Sequence, residues 1–245
     1  MKVVVLGGTN GMGRAVARRL VERGDAVFLL GRDADALARS SADLAARGGK
    51  GPVGTAVCDL ERPEGFAAAL DAAEAALGGF DTVVVTAAMF ATQDQLEADL
   101  ELARRVLTVN YAHTVVFCEH AKSRLLARGG GRLVVFSSVA GERGRKPVVL
   151  YGSSKAGLSA YLEGLDHKYA AQGLRVVCVK PGFVKTGMTA GLKPPPFAGE
   201  PEGVAKQVVA ALDAGTPVLY TPTMWALVML VIRWLPRLVM RKINF

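Results

Sequence analysis

This chain is poor in the residues that hold metals and covalent cross-links. Its three cysteines, Cys58, Cys118 and Cys178, lie far apart with no C-x-x-C step, and its three histidines fall at no ligand spacing. That excludes a zinc module and a disulfide framework. It leaves three free thiols suited to a reducing cytoplasm, with no metal expected. Aromatic residues are scarce at 7%, and none is interleaved with a basic run. The formal net charge of +8 therefore describes a solvated Arg-rich surface, or one for phosphorylated or lipid ligands, and no nucleic-acid partner is expected. Long apolar runs are missing too. The longest, residues 224–232, falls well short of the roughly 20 residues that span a bilayer. Met1-Lys2 leads at once into an apolar strand pattern, so no secretory leader is expected.

What is present is a regular alternation. Short Val-rich runs at residues 3–6, 26–30, 53–57, 82–85, 132–136, 175–179 and 218–220 read as strands. Ala-rich helical patterns begin between them, near Met12, Asp35, Pro63, Leu96, Tyr151 and Pro201. Continuous apolar strands joined by helices predict an α/β fold: a single Rossmann-type doubly wound parallel sheet of about seven strands, helices on both faces. Residues 1–222 form that domain, and residues 223–245 an apolar, Arg-rich helical tail. The breaker-rich stretch at about 183–201, with Pro194-Pro195-Pro196 inside it, reads as a substrate lid.

The first strand runs into Gly7-Gly8-Thr9-Asn10-Gly11-Met12-Gly13. Glycines at i, i+4 and i+6 between a strand and a helix suit a tight turn, a close approach to a pyrophosphate, and helix–strand packing. The helix N-terminus then faces the phosphates. The second strand ends at Gly31-Arg32-Asp33. Gly31 stands where a 2′-hydroxyl-binding acid is expected, and Arg32 offers a fork of donors to a 2′-phosphate. NADP(H) is thus preferred, with NAD(H) as the alternative. Asp33 reads as the cap of the helix over residues 34–46. Cys58-Asp59-Leu60 after the third strand is placed to close over the adenine, through Asp59 and Leu60.

Tyr151 and Lys155 lie four apart at the start of a helix, on one face. A neighbouring ammonium favours the phenolate and predicts a lowered Tyr151 pKa. Ser138, at the end of the fifth strand, can hydrogen-bond a substrate oxygen as charge develops there. Asn110 is a polar residue in an apolar helical stretch, either part of this site or a buried tie between helix and strand.

Taken together, these residues resemble the short-chain dehydrogenase/reductase family over essentially the whole chain. Gly7, Gly11 and Gly13 match its glycine motif, and Asn110, Ser138, Tyr151 and Lys155 match its catalytic tetrad. Lys180-Pro181-Gly182-Phe183-Val184-Lys185-Thr186 resembles its nicotinamide-contacting segment, which implicates Pro181, Gly182, Val184 and Thr186. The resemblance implies Tyr151 as acid, Ser138 as oxyanion donor, Lys155 on the nicotinamide ribose, and Asn110 holding a proton-relay water. It also implies a homodimer or homotetramer. Two departures stand beside the cofactor: Leu6 where the family has Thr, and Thr86-Ala87-Ala88-Met89 where it has Asn-Asn-Ala-Gly. Ala87 and Ala88 remain candidate cofactor contacts.

In the tail, Arg233, Arg237 and Arg241 are four apart and so share a face, Trp225, Val228, Trp234, Leu235, Leu238 and Val239 cover much of the rest, and Pro236 kinks or divides the helix. That describes a helix lying in a membrane interface, or one packed in a core or dimer. The loop after Ser138, Met188-Thr189-Ala190-Gly191, and the tail resemble a subgroup that reduces a 2-keto sugar on a polyprenyl phosphate, the decaprenylphosphoryl-keto-pentose reductases. That implies a lipid-linked ketone as partner, at the inner face of the membrane. Candidate substrate residues are Met89, Arg143, Arg145, Phe183 and Met188, with Lys146 beside them. Two other readings are a 3-ketosphinganine reductase and a dinucleotide-binding protein that has lost turnover.

Overall fold

The computed structural model describes residues 1–48 and 53–243. The last two residues of the predicted tail, Asn244 and Phe245, lie outside them. Seven parallel strands form one sheet in the order β3-β2-β1-β4-β5-β6-β7. They are β1 Lys2–Leu6, β2 Ala26–Gly31, β3 Gly54–Val57, β4 Thr82–Val85, β5 Gly131–Phe136, β6 Leu174–Pro181 and β7 Val218–Thr221. Every residue of β4 is buried, as a strand covered on both faces requires. The order reverses between β1 and β4. This opens a crevice at the carboxyl ends of those strands, where ligands of such sheets bind.

The two faces carry separate cores. On one, Phe66 and Phe117 meet edge to face with centroids 5.5 Å apart. They belong to α3 Phe66–Leu77 and α6 Thr114–Ala127, beside α7 Val149–Tyr169. On the other, α1 Gly11–Arg23, α2 Ala34–Gly48 and α8 Pro201–Ala214 cover Val3, Val5, Leu29 and Val177.

Three helical boundaries differ from the sequence reading. The helix expected near Leu96 starts at Gln93, capped by Thr92, whose hydroxyl accepts from Gln95 N. It then breaks at Asp99, which leaves helical geometry and caps the next segment by accepting from Leu102 N. The stretch is thus α4 Gln93–Ala98, α5 Leu100–Leu107, a π-turn Thr108–His113, and α6. Near Pro63 a short 3₁₀ turn, Pro63–Gly65, precedes α3. The tail forms α9 Met224–Trp234 and α10 Arg237–Lys242, separated by extended backbone at Leu235 and Pro236. Because the helix stops there, Arg233 does not share a face with Arg237 and Arg241, contrary to the spacing argument. Among the described residues, no helix is long and apolar enough to cross a membrane.

Candidate active site

The turn after β1 packs tightly. Gly7 N donates to Leu30 O at 2.9 Å, and a Cβ on Gly13 would stand 2.2 Å from Gly7 O. Only glycine lets α1 approach the turn so closely. The N-cap of α1 is Asn10, whose side chain makes no capping bond, and the first turn has no acidic residue. The positive end of a helix of 13 residues is therefore unopposed, and an anion fits it. Thr9 and Met12 line the same turn. Thr186 arrives from the other side, its methyl 3.4 Å from where a Cβ on Gly11 would lie. Thr86, one of the departures noted above, ties β4 to the turn: its hydroxyl lies 3.1 Å from Leu6 O and from Gly7 O. Ala87 and Ala88 follow it at the crevice.

At the adenosine end Arg32 is exposed. Asp33 caps α2, its Oδ1 accepting from Ala36 N at 2.9 Å. Asp59 accepts from Glu61 N at 3.0 Å, which fixes the loop after β3. The Leu60 side chain lies in the core, so only its main chain faces outward, and its carbonyl meets His113 Nδ1 at 2.6 Å.

The catalytic candidates converge at the ends of β5 and α7. Ser138 is extended at the end of β5, accepts from Ala140 N at 3.1 Å, and hydrogen-bonds the Tyr151 phenol. Its hydroxyl also lies 3.4 Å from Pro181 O. Ser137 Oγ donates to Lys155 O at 2.9 Å and pins α7 to β5. Lys155 is 2% exposed, and its Nζ donates to Phe136 O at 2.9 Å.

Here the structure corrects a sequence expectation. The Tyr151 phenol is not lowered. Burial pushes it up to about 12, against the Ser138 hydrogen bond. Burial likewise pushes the Lys155 ammonium down to about 8. The ammonium is turned to the Phe136 carbonyl and sits 5.8 Å from the Tyr151 ring centroid. Desolvation therefore outweighs the charge–phenol attraction, and Tyr151 keeps its proton at neutral pH.

Asn110 lies in the π-turn and is fully buried. Met89 N donates to its Oδ1 at 2.7 Å and its Nδ2 donates to Met89 O at 2.8 Å. Its side chain thus ties the helix to the loop after β4. Met89 reaches the site as main chain, with its side chain packed toward the core.

Two neighbours of the site escaped the sequence reading. Phe90 stands edge-on to Tyr151, centroids 5.2 Å apart. It follows Met89 in the loop after β4, which was its only signal. Glu142 binds Lys180 Nζ, accepts from Tyr220 OH at 2.9 Å, and pairs with Arg233 at 3.4 Å. Burial alone would lower the Lys180 ammonium, but Glu142 holds it above its ordinary value. No spacing rule joins residues so distant in sequence.

The lid is closed at its base, where Gly199 N donates to Phe183 O at 2.8 Å and Lys185 N to Gly199 O at 2.9 Å. Val184 is buried there, and Met188 is exposed. The lid bounds a cleft of about 520 Å³, with Phe183, Thr186 and Leu192 in its walls. Arg143 turns away from the cleft and donates to Leu235 O at 3.0 Å, at the end of α9. Arg145 is half-buried, and its pKa is lowered by burial; Lys146 is exposed.

The tail is part of this wall. Trp225, Met229 and Ile232 pack with Val139 and Phe183. A Cβ on Gly182 would lie 2.1 Å from Trp225 Nε1. Gly182→Ala must therefore displace Trp225 from the segment after β6. The expected result is a loss of about 1–3 kcal/mol in a denaturant titration, with reduced turnover. Unchanged stability would mean that the indole moves freely.

The short chain dehydrogenase family model matches residues 1–196. The chain belongs to the short-chain dehydrogenase/reductase family. It is 35% identical over 242 residues to an uncharacterized oxidoreductase of Mycobacterium tuberculosis, covering 98% of this chain and 96% of that one. An uncharacterized oxidoreductase of Streptomyces coelicolor is 36% identical over 252 residues, with 98% and 95% covered. Among solved structures, a short-chain type dehydrogenase/reductase from Mycobacterium ulcerans superimposes with a TM-score of 0.81 at 27% identity, covering 89% and 87% of the two chains. This short-chain dehydrogenase/reductase is accordingly an NAD(P)-dependent oxidoreductase with the Rossmann-like sheet of its family.

Proposed function

We propose that this enzyme reduces a ketone carried on a lipid to the alcohol, with NADPH preferred over NADH. The observation that carries the reading is a buried, protonated Tyr151 phenol beside Ser138. Gly7–Gly13 and Lys155 would hold the dinucleotide, which would supply the hydride. Ser138 donates a hydrogen bond to the ketone oxygen and orients the carbon. As negative charge grows on that oxygen, Tyr151 gives up its proton to it. Lys155 stabilises the phenolate that remains, and Asn110 holds the Met89 loop under the substrate. Phe183 and Met188 meet the apolar part of the ketone, with the loop of Arg143 and Arg145 at the rim.

NADP preference rests on Arg32, exposed at the end of β2, while Asp33 is occupied as a helix cap. Arg32→Ala is expected to raise KM for NADPH by about ten- to a hundredfold and leave NADH unaffected, since it removes a charge-assisted bond to the 2′-phosphate. Equal changes for both cofactors would take Arg32 out of that site.

The substrate reading draws on the loop after Ser138 and the Arg-rich tail, which resemble reductases of polyprenylphosphoryl keto-sugars. The proposed setting is the inner face of the cytoplasmic membrane, as a homodimer or homotetramer. Exposed Tyr111, Val116 and Val149 on the α6–α7 side suit such self-association. The deciding assay follows NADPH oxidation with a polyprenylphosphoryl 2-ketopentose and 3-ketosphinganine in parallel. Turnover of the sugar lipid supports the reading. Turnover of the sphingoid ketone alone replaces it.

A further inference from the structure

The side of α9 that faces away from the site has no covering. Leu227, Leu230, Val231 and Trp234 are 59%, 55%, 57% and 81% exposed, and Leu238 on α10 extends the patch at 70%. The opposite side, Trp225, Met229 and Ile232, is already buried against the catalytic wall. A helix apolar on both sides is ordinarily buried on both, and a contiguous exposed patch of this size marks a contact surface.

Charge decides between occupants. Residues 223–243 contain Arg233, Arg237, Arg241 and Lys242 and no acidic residue. Arg233 is paired with Glu142, whereas Arg237, Arg241 and Lys242 are exposed at the end of the apolar patch. A two-fold contact with a second copy would bring two such basic rims together with no acid in the segment to pair them. An anionic bilayer supplies an apolar phase for the leucines and tryptophan and counter-charge for the rim. The helix α9 also touches the lid. Trp225 Nε1 donates to Phe197 O at 3.2 Å, and Phe197, at the lid, is itself 47% exposed.

We infer that the outer face of α9 and α10 docks on an anionic lipid membrane, with the lid and cleft mouth turned to the lipid. The surface stands on these exposures and charges. Its purpose, delivery of a lipid-linked ketone, rests on the proposed function.

Trp225 and Trp234 are the two tryptophans of the chain, one buried and one exposed, which makes intrinsic fluorescence a site-specific probe. Vesicles of phosphatidylglycerol and phosphatidylcholine should shift the emission to the blue. Trp234→Phe should abolish that shift, and added salt should weaken it. The double variant Trp234→Glu, Leu238→Glu should lower the vesicle-bound fraction by at least about tenfold, since both side chains lose their apolar burial. Its turnover of a water-soluble ketone should remain that of the parent. No shift, or equal binding to pure phosphatidylcholine, overturns the inference. So does an emission that shifts with protein concentration alone, together with sedimentation showing that Leu238→Glu splits a dimer: a second copy then covers the face. A parent protein that binds vesicles but reduces neither lipid-linked nor water-soluble ketones with NADPH overturns the reductase reading and leaves the surface standing.

Discussion

Tyr151→Phe should cut ketone reduction by about 10²–10⁴-fold while NADPH affinity stays nearly unchanged. The ring is held by its contact with Phe90, so the variant loses the hydroxyl and little packing. In the proposed mechanism that hydroxyl is the proton donor, and burial keeps it protonated far above neutral pH. The competing donor is Lys155, which burial makes the stronger acid at about 8. Its Nζ is already bonded to the Phe136 carbonyl, so geometry favours the phenol. Turnover within tenfold of the parent would reverse that judgement and make Lys155 the acid. Single-turnover reduction with saturating NADPH, alongside a cofactor titration by fluorescence, separates the two effects.

Lys155→Met should lose turnover by about 10²-fold or more, as an electrostatic stabiliser of the phenolate is removed. It should also make the protein more stable at pH 7. Lys155 is depressed from 10.5 to about 8 in the folded state. Below pH 8 both folded and unfolded chains carry the charge, and the folded one bears the desolvation. Between about 8 and 10.5 the unfolded chain binds the extra proton, so the contribution of this group to stability rises with pH across that window. The full effect is on the order of 3 kcal/mol. Loss of the bond to Phe136 O offsets about 1 kcal/mol in the variant. Denaturant titrations at pH 7 and pH 10 should therefore show the parent gaining stability relative to Lys155→Met as pH rises, while the thiols of Cys58 and Cys118, raised by burial, lower the stability of both proteins alike. A difference between the two that does not change with pH would mean that water reaches this ammonium.

The polar groups around the site explain why some of it was readable and some was not. β1, β4 and β5 were plain because strands buried on both faces read as continuous Val and Leu runs, whatever packs on them. The glycine turn, Ser138, Tyr151 and Lys155 were equally plain, since their chemistry depends on local spacing at an element boundary. The break at Asp99 and the π-turn around Asn110 were not. Their residues suit a helix interior nearly as well, and the deviation is settled by Asn110 reaching across to Met89. Glu142 gave no signal, because its three partners come from β6, β7 and α9.

The division follows from the range of the forces involved. By itself the amino-acid sequence determined the doubly wound sheet, the place of the glycine turn and the candidates proposed for proton transfer, because periodicity, turn chemistry and i, i+4 spacing act over a few residues. Only the tertiary structure decided the direction of the pKa shifts at Tyr151 and Lys155, the use of the Asn110 amide, and the seating of α9 against Gly182 and Val139. Those depend on burial and on contacts between distant segments, and desolvation is a property of the assembled surroundings that no local pattern encodes.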